Sequence, residues 1–454
     1  MSLLSRRALF AGLMQQPQAP NIVFIMADDH ASHAISAYGS KINQTPNIDR
    51  LAKEGVRLDN CFCTNSICTP SRAAILTGQY SHINGVNTLN DSLDINRPTV
   101  AKHLQGFGYQ TAMIGKWHLV TEPQGFDHWQ ILPGQGLYND PVFLGPSGRT
   151  THKGYCTDLI TDFTLDWLGN RDKTRPFFLM CHHKAPHRPW DPSPMYKDLF
   201  ADKVIPEPAN LYQPAFRGLK MRVGEDMTER DLKVKPPPGL SGDALRKWAY
   251  QVYIKDYLRC VQSVDDSVGR VLDYLDANQL RENTLVIYTS DQGFFLGDHG
   301  LFDKRLMYEE ALRMPFLARY PREIQPGTVN TDISLNIDFA PTFLELARMG
   351  RAGDMQGESL RQNLQGRTPD TWRKSMYYRY WMHDDPDHHV PGNYGVRTKT
   401  HKLIKFQGPA DDWELYDLKR DPREMKNLYG KDPALDKTLK TEITRLQHKY
   451  GDAP

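Results

Sequence analysis

A short stretch around Cys68 contains the residue types and spacing best suited to chemistry. It reads Cys68-Thr69-Pro70-Ser71-Arg72 and continues directly as Ala73-Ala74-Ile75-Leu76-Thr77-Gly78. Proline is favoured in the first turn of a helix, where its missing N–H would have no partner anyway, so Cys68 is predicted to lie at or just before a helix N-terminus. Free N–H groups and the helix dipole stabilise negative charge there. From the residues alone we expect an activated cysteine facing an anion site, with Arg72 reaching back towards it.

A second group of candidate residues carries hard oxygen ligands. Asp28 and Asp29 follow one apolar, β-prone run, and Asp291 and Gln292 follow another. Carboxylate and amide oxygens suit calcium or magnesium and are poor ligands for soft metals. Each residue alone is more simply a cap or turn residue. Together, at the ends of two predicted strands, they indicate a divalent-cation site.

Apolar runs that end in polar clusters must position these residues. Four such runs are continuous and β-prone, as in strands buried on both faces of a parallel sheet. They span residues 22–26, 111–114, 177–180 and 284–288. The polar cluster follows the strand in each case, which is where open α/β sheets place their sites. Between these runs, apolar residues recur at helical spacing, as in residues 257–272. Strands that alternate with helices predict an α/β fold with a mainly parallel sheet flanked by helices. The sequence does not give the strand order.

The sequence changes in character after about residue 370. Short β-prone runs joined by polar turns are followed by a helix that is predicted to begin at Asp432-Pro433. We therefore predict a catalytic α/β domain over residues 21–370 and a smaller C-terminal subdomain, an antiparallel sheet plus helix, over residues 371–454. Residues 206–242 are rich in proline and charge and are predicted to be a surface insertion.

Composition excludes several classes of function. The chain has 454 residues, 39% of them hydrophobic, and 56 Lys and Arg against 54 Asp and Glu, for a net charge of +2. It can bury a large core, and it has no basic excess that would favour nucleic acid. No apolar run approaches the ~20 residues of a membrane helix. We expect neither a nucleic-acid partner nor a membrane span. If Cys68 is consumed, the other five of the six cysteines argue against a disulfide framework.

Residues 1–20 are predicted to be an export signal or a disordered N-terminus. Paired arginines in Ser5-Arg6-Arg7 precede a short apolar stretch and then polar Gln15-Gln16-Pro17, as in a twin-arginine signal. This pattern predicts a periplasmic or secreted protein. A frayed basic N-terminus on a cytoplasmic protein is the alternative.

The motif C-x-P-S-R-A-x-x-L-T-G resembles the signature of the type I sulfatases. The resemblance extends from Asn21 to Leu428 and implies the alkaline-phosphatase-like form of the α/β fold. In that family a formylglycine-generating maturation enzyme oxidises the cysteine, here Cys68. The formylglycine hydrate is then the nucleophile and forms a sulfated-enzyme intermediate.

The resemblance also implies roles for single residues. Gly115-Lys116-Trp117-His118 matches the family's G-K-W-H, so Lys116 is expected to contact the formylglycine and sulfate oxygens. His118 is expected to be the base that allows sulfate to leave. His187 matches the histidine that protonates the leaving alcohol, and Lys304 matches a lysine that neutralises another sulfate oxygen.

The same resemblance gives the metal. In sulfatases the positions of Asp28, Asp29, Asp291 and Gln292 hold a divalent cation, usually calcium and here calcium or magnesium, against the formylglycine at Cys68. Many members have asparagine where this chain has glutamine. A sulfate ester carries delocalised negative charge, so a cation, lysines, Arg72 and proton-transferring histidines around one sulfur are what its hydrolysis requires.

The substrate implied by the resemblance is a sulfated sugar. The best matches are bacterial glycan sulfatases, especially N-acetylglucosamine-6-O-sulfatases that act on glycosaminoglycans, and we expect exo action. Fixed polar groups at a pocket mouth would recognise ring hydroxyls. The candidates are Gln135, Tyr138, Asp303, Arg305, His388 and His389.

Three other histidines, His182, His183 and His299, are assigned to packing or surface positions. Two further readings of the whole chain remain open. One is a phosphonate or phosphodiester hydrolase of the same superfamily. The other is a catalytically silent glycan-binding protein in which Cys68 is never matured.

Overall fold

The computed structural model describes residues 19–212, 235–408 and 412–452. The arginine pair of the predicted export signal and residues 213–234 of the predicted insertion lie outside the described residues.

Seventeen strands are formed in the described parts of the chain. They are β1 (Asn21–Ala27), β2 (Val56–Leu58), β3 (Cys61–Phe62), β4 (Gln110–Lys116), β5 (His128–Leu132), β6 (Val142–Gly145), β7 (Gly148–Thr151), β8 (Phe177–His182), β9 (Thr284–Ser290), β10 (Arg313–Met314), β11 (Phe316–Arg319), β12 (Thr328–Asn330), β13 (Ser334–Leu335), β14 (Ser375–Tyr380), β15 (Asn393–Thr398), β16 (His401–Phe406) and β17 (Trp413–Asp417).

The described residues also form ten α-helices. They are α1 (Pro46–Lys53), α2 (Cys68–Thr77), α3 (Ser81–Asn84), α4 (Val100–Gly106), α5 (Cys156–Asn170), α6 (Gly242–Ala277), α7 (Glu309–Leu312), α8 (Phe339–Leu346), α9 (Arg361–Leu364) and α10 (Pro433–Tyr450).

A ten-stranded sheet forms the centre of the molecule. Its order is β12-β2-β11-β9-β1-β8-β4-β5-β6-β7. The pairs from β9 to β5 are all parallel, whereas β11, β6 and β7 run antiparallel to their neighbours. The prediction of a mainly parallel α/β sheet is confirmed. The four predicted apolar runs become β1, β4, β8 and β9, which are adjacent, so their carboxyl ends meet at one edge.

Helices cover both faces of this sheet, as predicted. Alternate residues of β1 enter two different cores: Val23 and Ile25 pack with residues of α5 and α6, whereas Phe24 packs with residues of α2 and α8. Strands β4, β8 and β9 extend two residues beyond the predicted apolar runs, so polar residues such as Lys116 and His182 are the last residues of their strands. Six cysteines are buried and none is in a disulfide.

The C-terminal part forms the predicted small antiparallel sheet. Its order is β14-β15-β16-β17, and α10 packs beside it. The Asp432 side chain caps α10 by accepting hydrogen bonds from the backbone N–H groups of Ala434 and Leu435, both at 3.1 Å. A three-stranded sheet, β10-β3-β13, was not predicted. The domain boundary near residue 370 stays a prediction. Among the described residues, no helix has the length and apolar character needed to cross a bilayer.

Candidate active site

Cys68 is the first residue of α2, as the position of Pro70 predicts. Every residue of this helix is buried, and the helix ends at Gly78, whose left-handed φ of 66° suits glycine. The Cys68 Sγ lies 3.2 Å from the Lys304 Nζ and 3.5 Å from Asp28 Oδ1. Cys68 therefore faces charged side chains from two distant parts of the chain.

The protein groups around Cys68 disfavour ionisation of its thiol. Burial, together with the negative charge of Asp28, raises the pKa of the Cys68 thiol to about 12, although Lys304 and Lys116 oppose the shift. Loss of hydration opposes the helix dipole at this position, so the helix N-terminus alone does not favour a thiolate. The activated cysteine stays a prediction.

Three carboxylates meet beside Cys68. Oxygens of Asp28, Asp29 and Asp291 lie within 4.8 Å of one another, and all three residues are 0% exposed. They converge because β1 and β9 are parallel neighbours in which Ala27 pairs with Ser290, so both acidic clusters begin at the same level of the sheet. Burial and the charge of Asp28 raise the pKa of Asp291 to about 7. So many crowded carboxylates call for compensating positive charge.

The donor set fits a divalent cation. Gln292 lies against Asp29 through its amide nitrogen. Asp29 Oδ2 and Gln292 Oε1 are buried and have no hydrogen-bond partner among the described residues. Buried polar atoms are normally satisfied, and two unpaired oxygens beside three carboxylates match the ligand preference of calcium or magnesium.

Three buried cations surround the same point. The Arg72 Nε donates to Asp291 Oδ2 at 3.1 Å, and its Nη1 donates to the Lys116 carbonyl at 2.6 Å. Lys116 forms an ion pair with Asp28, and Lys304 forms one with Asp29. Gly115, at φ 104°, lets β4 approach β8 closely, because a Cβ there would lie 1.9 Å from a backbone oxygen. The cluster can hold an anion against Cys68.

The two candidate proton-transfer histidines lie at this cluster. His118 Nδ1 is 3.5 Å from Thr69 Oγ1, in the first turn of α2, and burial with the charge of Lys116 lowers the pKa of His118 to about 2. His187 Nε2 is 3.8 Å from Asp29 Oδ2, and its Nδ1 is 2.6 Å from the Arg188 carbonyl, to which it must donate. The Nε2 atom of His187 is therefore the nitrogen that faces the cluster.

Part of the predicted sugar-binding set is assembled beside Lys304. Asp303 and Arg305 form an ion pair. His388 Nδ1 lies 3.2 Å from the Arg305 guanidinium, and its Nε2 lies 3.6 Å from Asp303 Oδ2. Gln135 contacts the Lys116 ammonium. These four candidates are grouped around Cys68 and the charged residues beside it, which together we call the Cys68 cluster. Its charged members are Asp28, Asp29, Asp291, Arg72, Lys116 and Lys304.

Two of the predicted sugar-binding residues lie elsewhere. Tyr138 is 3% exposed, and its hydroxyl donates to the His187 carbonyl at 2.6 Å, so it lies behind His187 rather than at a pocket mouth. His389 Nδ1 lies 3.0 Å from Asp384 Oδ1, outside the group of predicted sugar-binding residues. The histidines assigned to packing, His182, His183 and His299, are all buried.

Sequence reasoning missed Arg188. Its guanidinium forms an ion pair with Asp303, donates to the Phe302 carbonyl at 3.1 Å and lies 3.4 Å from His388 Nε2. The available signal was its position directly after His187, a residue that the resemblance already assigned to the site. Arg188 therefore links His187, the predicted proton donor, to the group formed by Asp303, Arg305 and His388.

Two family models match the chain. The sulfatase model matches residues 20–349, and the model of the C-terminal region of N-sulphoglucosamine sulphohydrolase matches residues 297–449. The chain belongs to the sulfatase family. The resemblance seen in the sequence is confirmed, and with it the assignment as a sulfuric ester hydrolase, in a family that uses a formylglycine.

Individual relatives agree with the family. The chain is 44% identical to an N-acetylglucosamine-6-O-sulfatase of Bacteroides thetaiotaomicron, over 96% of this chain and 88% of the relative. It superposes with a TM-score of 0.92 and 43% identity on the structure of BT4656 in complex with its substrate D-glucosamine-2-N,6-O-disulfate, covering 96% of this chain and 99% of the other. A phosphonate monoester hydrolase of Agrobacterium radiobacter shares the fold, with a TM-score of 0.77, 21% identity and coverage of 95% and 96%.

Proposed function

We propose that this sulfatase removes the 6-O-sulfate from N-acetylglucosamine, or from a related glucosamine unit at the end of a glycosaminoglycan chain. The observation that carries the proposal is the Asp303, Arg305, His388 and Arg188 cluster, placed directly beside Lys304 and hence beside Cys68. Fixed charged groups of this kind suit hydrogen bonding to ring hydroxyls, while the Cys68 cluster suits the sulfate. The relatives named for glucosamine 6-sulfates support the same substrate class.

Charge stabilisation at the sulfate is the task of three buried cations. Lys116, Lys304 and Arg72 are at most 3% exposed, so their charges act in a site from which water is largely excluded. Conversion of Cys68 to formylglycine, hydrated by water, would supply a hydroxyl nucleophile in place of the thiol. Asp28, Asp29, Asp291 and Gln292 would hold a calcium ion, or magnesium, which adds positive charge next to the sulfate oxygens.

Proton transfer falls to the two histidines. His187 keeps its Nδ1 proton on the Arg188 carbonyl, so its imidazolium form would deliver the Nε2 proton to the ester oxygen of the leaving sugar and become the neutral ring. His118, whose ring is held near the first turn of α2, is placed to accept the proton whose removal lets inorganic sulfate leave. Tyr138 and Arg188 then act on the position of His187, rather than on substrate alone.

Maturation and export belong to the same proposal. A formylglycine-generating enzyme of the host would oxidise Cys68 before the chain is buried around it, because the thiol is only 1% exposed in the folded protein. The paired arginines Arg6 and Arg7 and the bacterial glycan-sulfatase relative support a periplasmic or secreted enzyme.

Sulfate release from a substrate panel tests the proposal. The panel contains N-acetylglucosamine-6-sulfate, a 2-O-sulfated uronate, a sulfated galactose and a phosphonate monoester, each assayed with matured protein. We expect sulfate release from the glucosamine substrate in large excess over the other two sugars and little cleavage of the phosphonate. Preferential release from the uronate or the galactose would contradict the sugar assignment. Preferential cleavage of the phosphonate would contradict sulfatase action.

A further inference from the structure

The segment 28–31 carries two of the carboxylates of the proposed cation site, yet it belongs to no strand or helix. The four backbone N–H groups of this segment are all bonded to groups from distant parts of the chain. Asp28 donates to the Ala185 carbonyl at 3.2 Å, Asp29 to Asp291 Oδ1 at 3.2 Å, His30 to Ser290 Oγ at 2.9 Å and Ala31 to the Tyr257 hydroxyl at 2.8 Å. Side-chain oxygens therefore accept three of these four hydrogen bonds, which neighbouring backbone carbonyls accept within a strand.

Asp29 needs this support because its backbone is left-handed. Its φ is 67°, a region that residues other than glycine occupy at a cost, although aspartate tolerates it better than most. In this conformation the Asp29 carboxylate reaches Lys304 and Gln292 and leaves Oδ2 free for a cation. A strained conformation persists only where its surroundings hold it.

The Tyr257 hydroxyl bonds to the peptide groups before and after His30. It accepts from the Ala31 N–H at 2.8 Å and donates to the Asp29 carbonyl at 2.7 Å, so one hydroxyl satisfies the two peptide groups on either side of His30. Tyr257 is 0% exposed, lies within α6 and stacks on Phe294 with ring centroids 6.0 Å apart. Its ring is fixed by packing, so the hydroxyl is a rigid support.

We propose that Tyr257 and Ser290 are positioning residues for the cation site: their hydroxyls clamp the segment 28–31 and keep Asp29 in its left-handed, metal-facing conformation. The inference rests on the proposed cation site and adds residues that touch neither metal nor substrate. Groups that orient metal ligands from behind typically change metal affinity or activity by about 10–100-fold when removed. Removal of the Tyr257 hydroxyl would also leave the Asp29 carbonyl and the Ala31 N–H buried without a partner.

Calorimetric titration of calcium chloride into chelator-treated protein tests the clamp. The variants are Tyr257→Phe, Ser290→Ala and, as a matched control, Tyr250→Phe. Tyr250 lies on the same helix and is equally buried, but its hydroxyl donates to the Pro206 carbonyl at 2.6 Å, in another part of the molecule. We expect calcium binding to weaken about tenfold or more in Tyr257→Phe, less in Ser290→Ala and not in Tyr250→Phe. Excess calcium should restore kcat in Tyr257→Phe with KM for the sugar unchanged.

Three results would overturn the inference. The first is calcium affinity in folded Tyr257→Phe equal to that of the unchanged protein. The second is equal weakening in Tyr250→Phe, because any buried hydroxyl of the helix would then have the same effect. If Tyr257→Phe does not fold, the test rests on Ser290→Ala. Unchanged calcium affinity in folded Ser290→Ala is then the third result that would overturn the inference. Absence of calcium binding by the unchanged protein would instead refute the cation site itself, so the two failures are distinguishable.

Discussion

His187 gives the most discriminating test of the proposed chemistry, and the variant is His187→Ala. The Nδ1 of His187 is held on the Arg188 carbonyl at 2.6 Å, and its Nε2 points at the cluster, 3.8 Å from Asp29 Oδ2. In the proposed mechanism the imidazole gives a proton to the leaving alcohol and does not bind the other sulfate oxygens. The loss should therefore depend on how much the leaving group needs that proton.

The size of the loss follows from this role. A positioned general acid contributes roughly 100-fold to 10,000-fold to the rate, which is about 3–5 kcal/mol of transition-state stabilisation. A sugar alcohol is a poor leaving group and should lose that whole factor in kcat. Nitrophenolate leaves without help, so hydrolysis of nitrophenyl sulfate should fall by less than about tenfold.

The assay compares kcat on N-acetylglucosamine-6-sulfate and on nitrophenyl sulfate for the same variants. Tyr138→Phe serves as the graded control, because it removes the 2.6 Å hydrogen bond to the His187 carbonyl and leaves the imidazole in place. One hydrogen bond is worth about 1 kcal/mol, so a loss of about fivefold, confined to the sugar substrate, is expected. Equal losses on both substrates in His187→Ala would remove this residue from the general-acid role.

Three further predictions concern charge and recognition. Lys304→Ala should lower kcat on sugar and aryl sulfates alike by about 100-fold or more, since its charge acts on the sulfate, and a loss confined to the sugar would contradict this. Lys402→Met should lower the free energy of unfolding in urea by about 3–5 kcal/mol, because the buried ammonium lies 2.9 and 2.7 Å from two glutamates. Lys399→Met should cost less than about 1 kcal/mol, because the Lys399 side chain is 52% exposed and water can replace its ammonium at Asp332. Equal costs would refute that difference. His388→Ala should raise KM for the sugar and spare nitrophenyl sulfate, while His389→Ala should change neither, and the reverse order would contradict the assembled cluster.

The centre of the fold was predictable because its strands are buried on both faces and must be apolar throughout. The runs that became β1, β4, β8 and β9 are such strands, and the rule that parallel strands end at one edge placed Asp28 with Asp291. The order of the strands was not predictable, because apolar character identifies a central strand without saying which neighbour it pairs with. The three-stranded sheet β10-β3-β13 was also not predictable, because its strands are too short to show a pattern of apolar residues.

The contacts that complete the site could not be read from local sequence. Arg188 meets His388 across 200 residues, and Tyr257 meets Asp29 across 228. Tyr138 was predicted to bind substrate because it lies in a polar loop, but packing turned its side chain inward. No local sequence signal distinguishes a tyrosine that faces a substrate pocket from one that packs inward.

The state of the Cys68 thiol shows a similar limit. A helix N-terminus favours negative charge by only about 0.3–1 kcal/mol at exposed positions. Burial beside carboxylates acts in the opposite direction and prevails, raising the pKa to about 12. The motif predicted the position of Cys68 at a helix start, and the buried carboxylates that oppose its ionisation come from distant parts of the chain.

The central claim is that Cys68 is the precursor of the nucleophile for sulfate ester hydrolysis. The most direct measurement relates sulfate release from N-acetylglucosamine-6-sulfate to the fraction of Cys68 converted, read from the mass of the peptide that contains it, in preparations matured to different extents. Conversion replaces the sulfur and two hydrogens by one oxygen, so the two forms are resolved by mass. We expect turnover to rise in proportion to the converted fraction and to extrapolate to zero with unconverted cysteine. Full turnover by protein whose Cys68 is entirely unconverted would contradict the account.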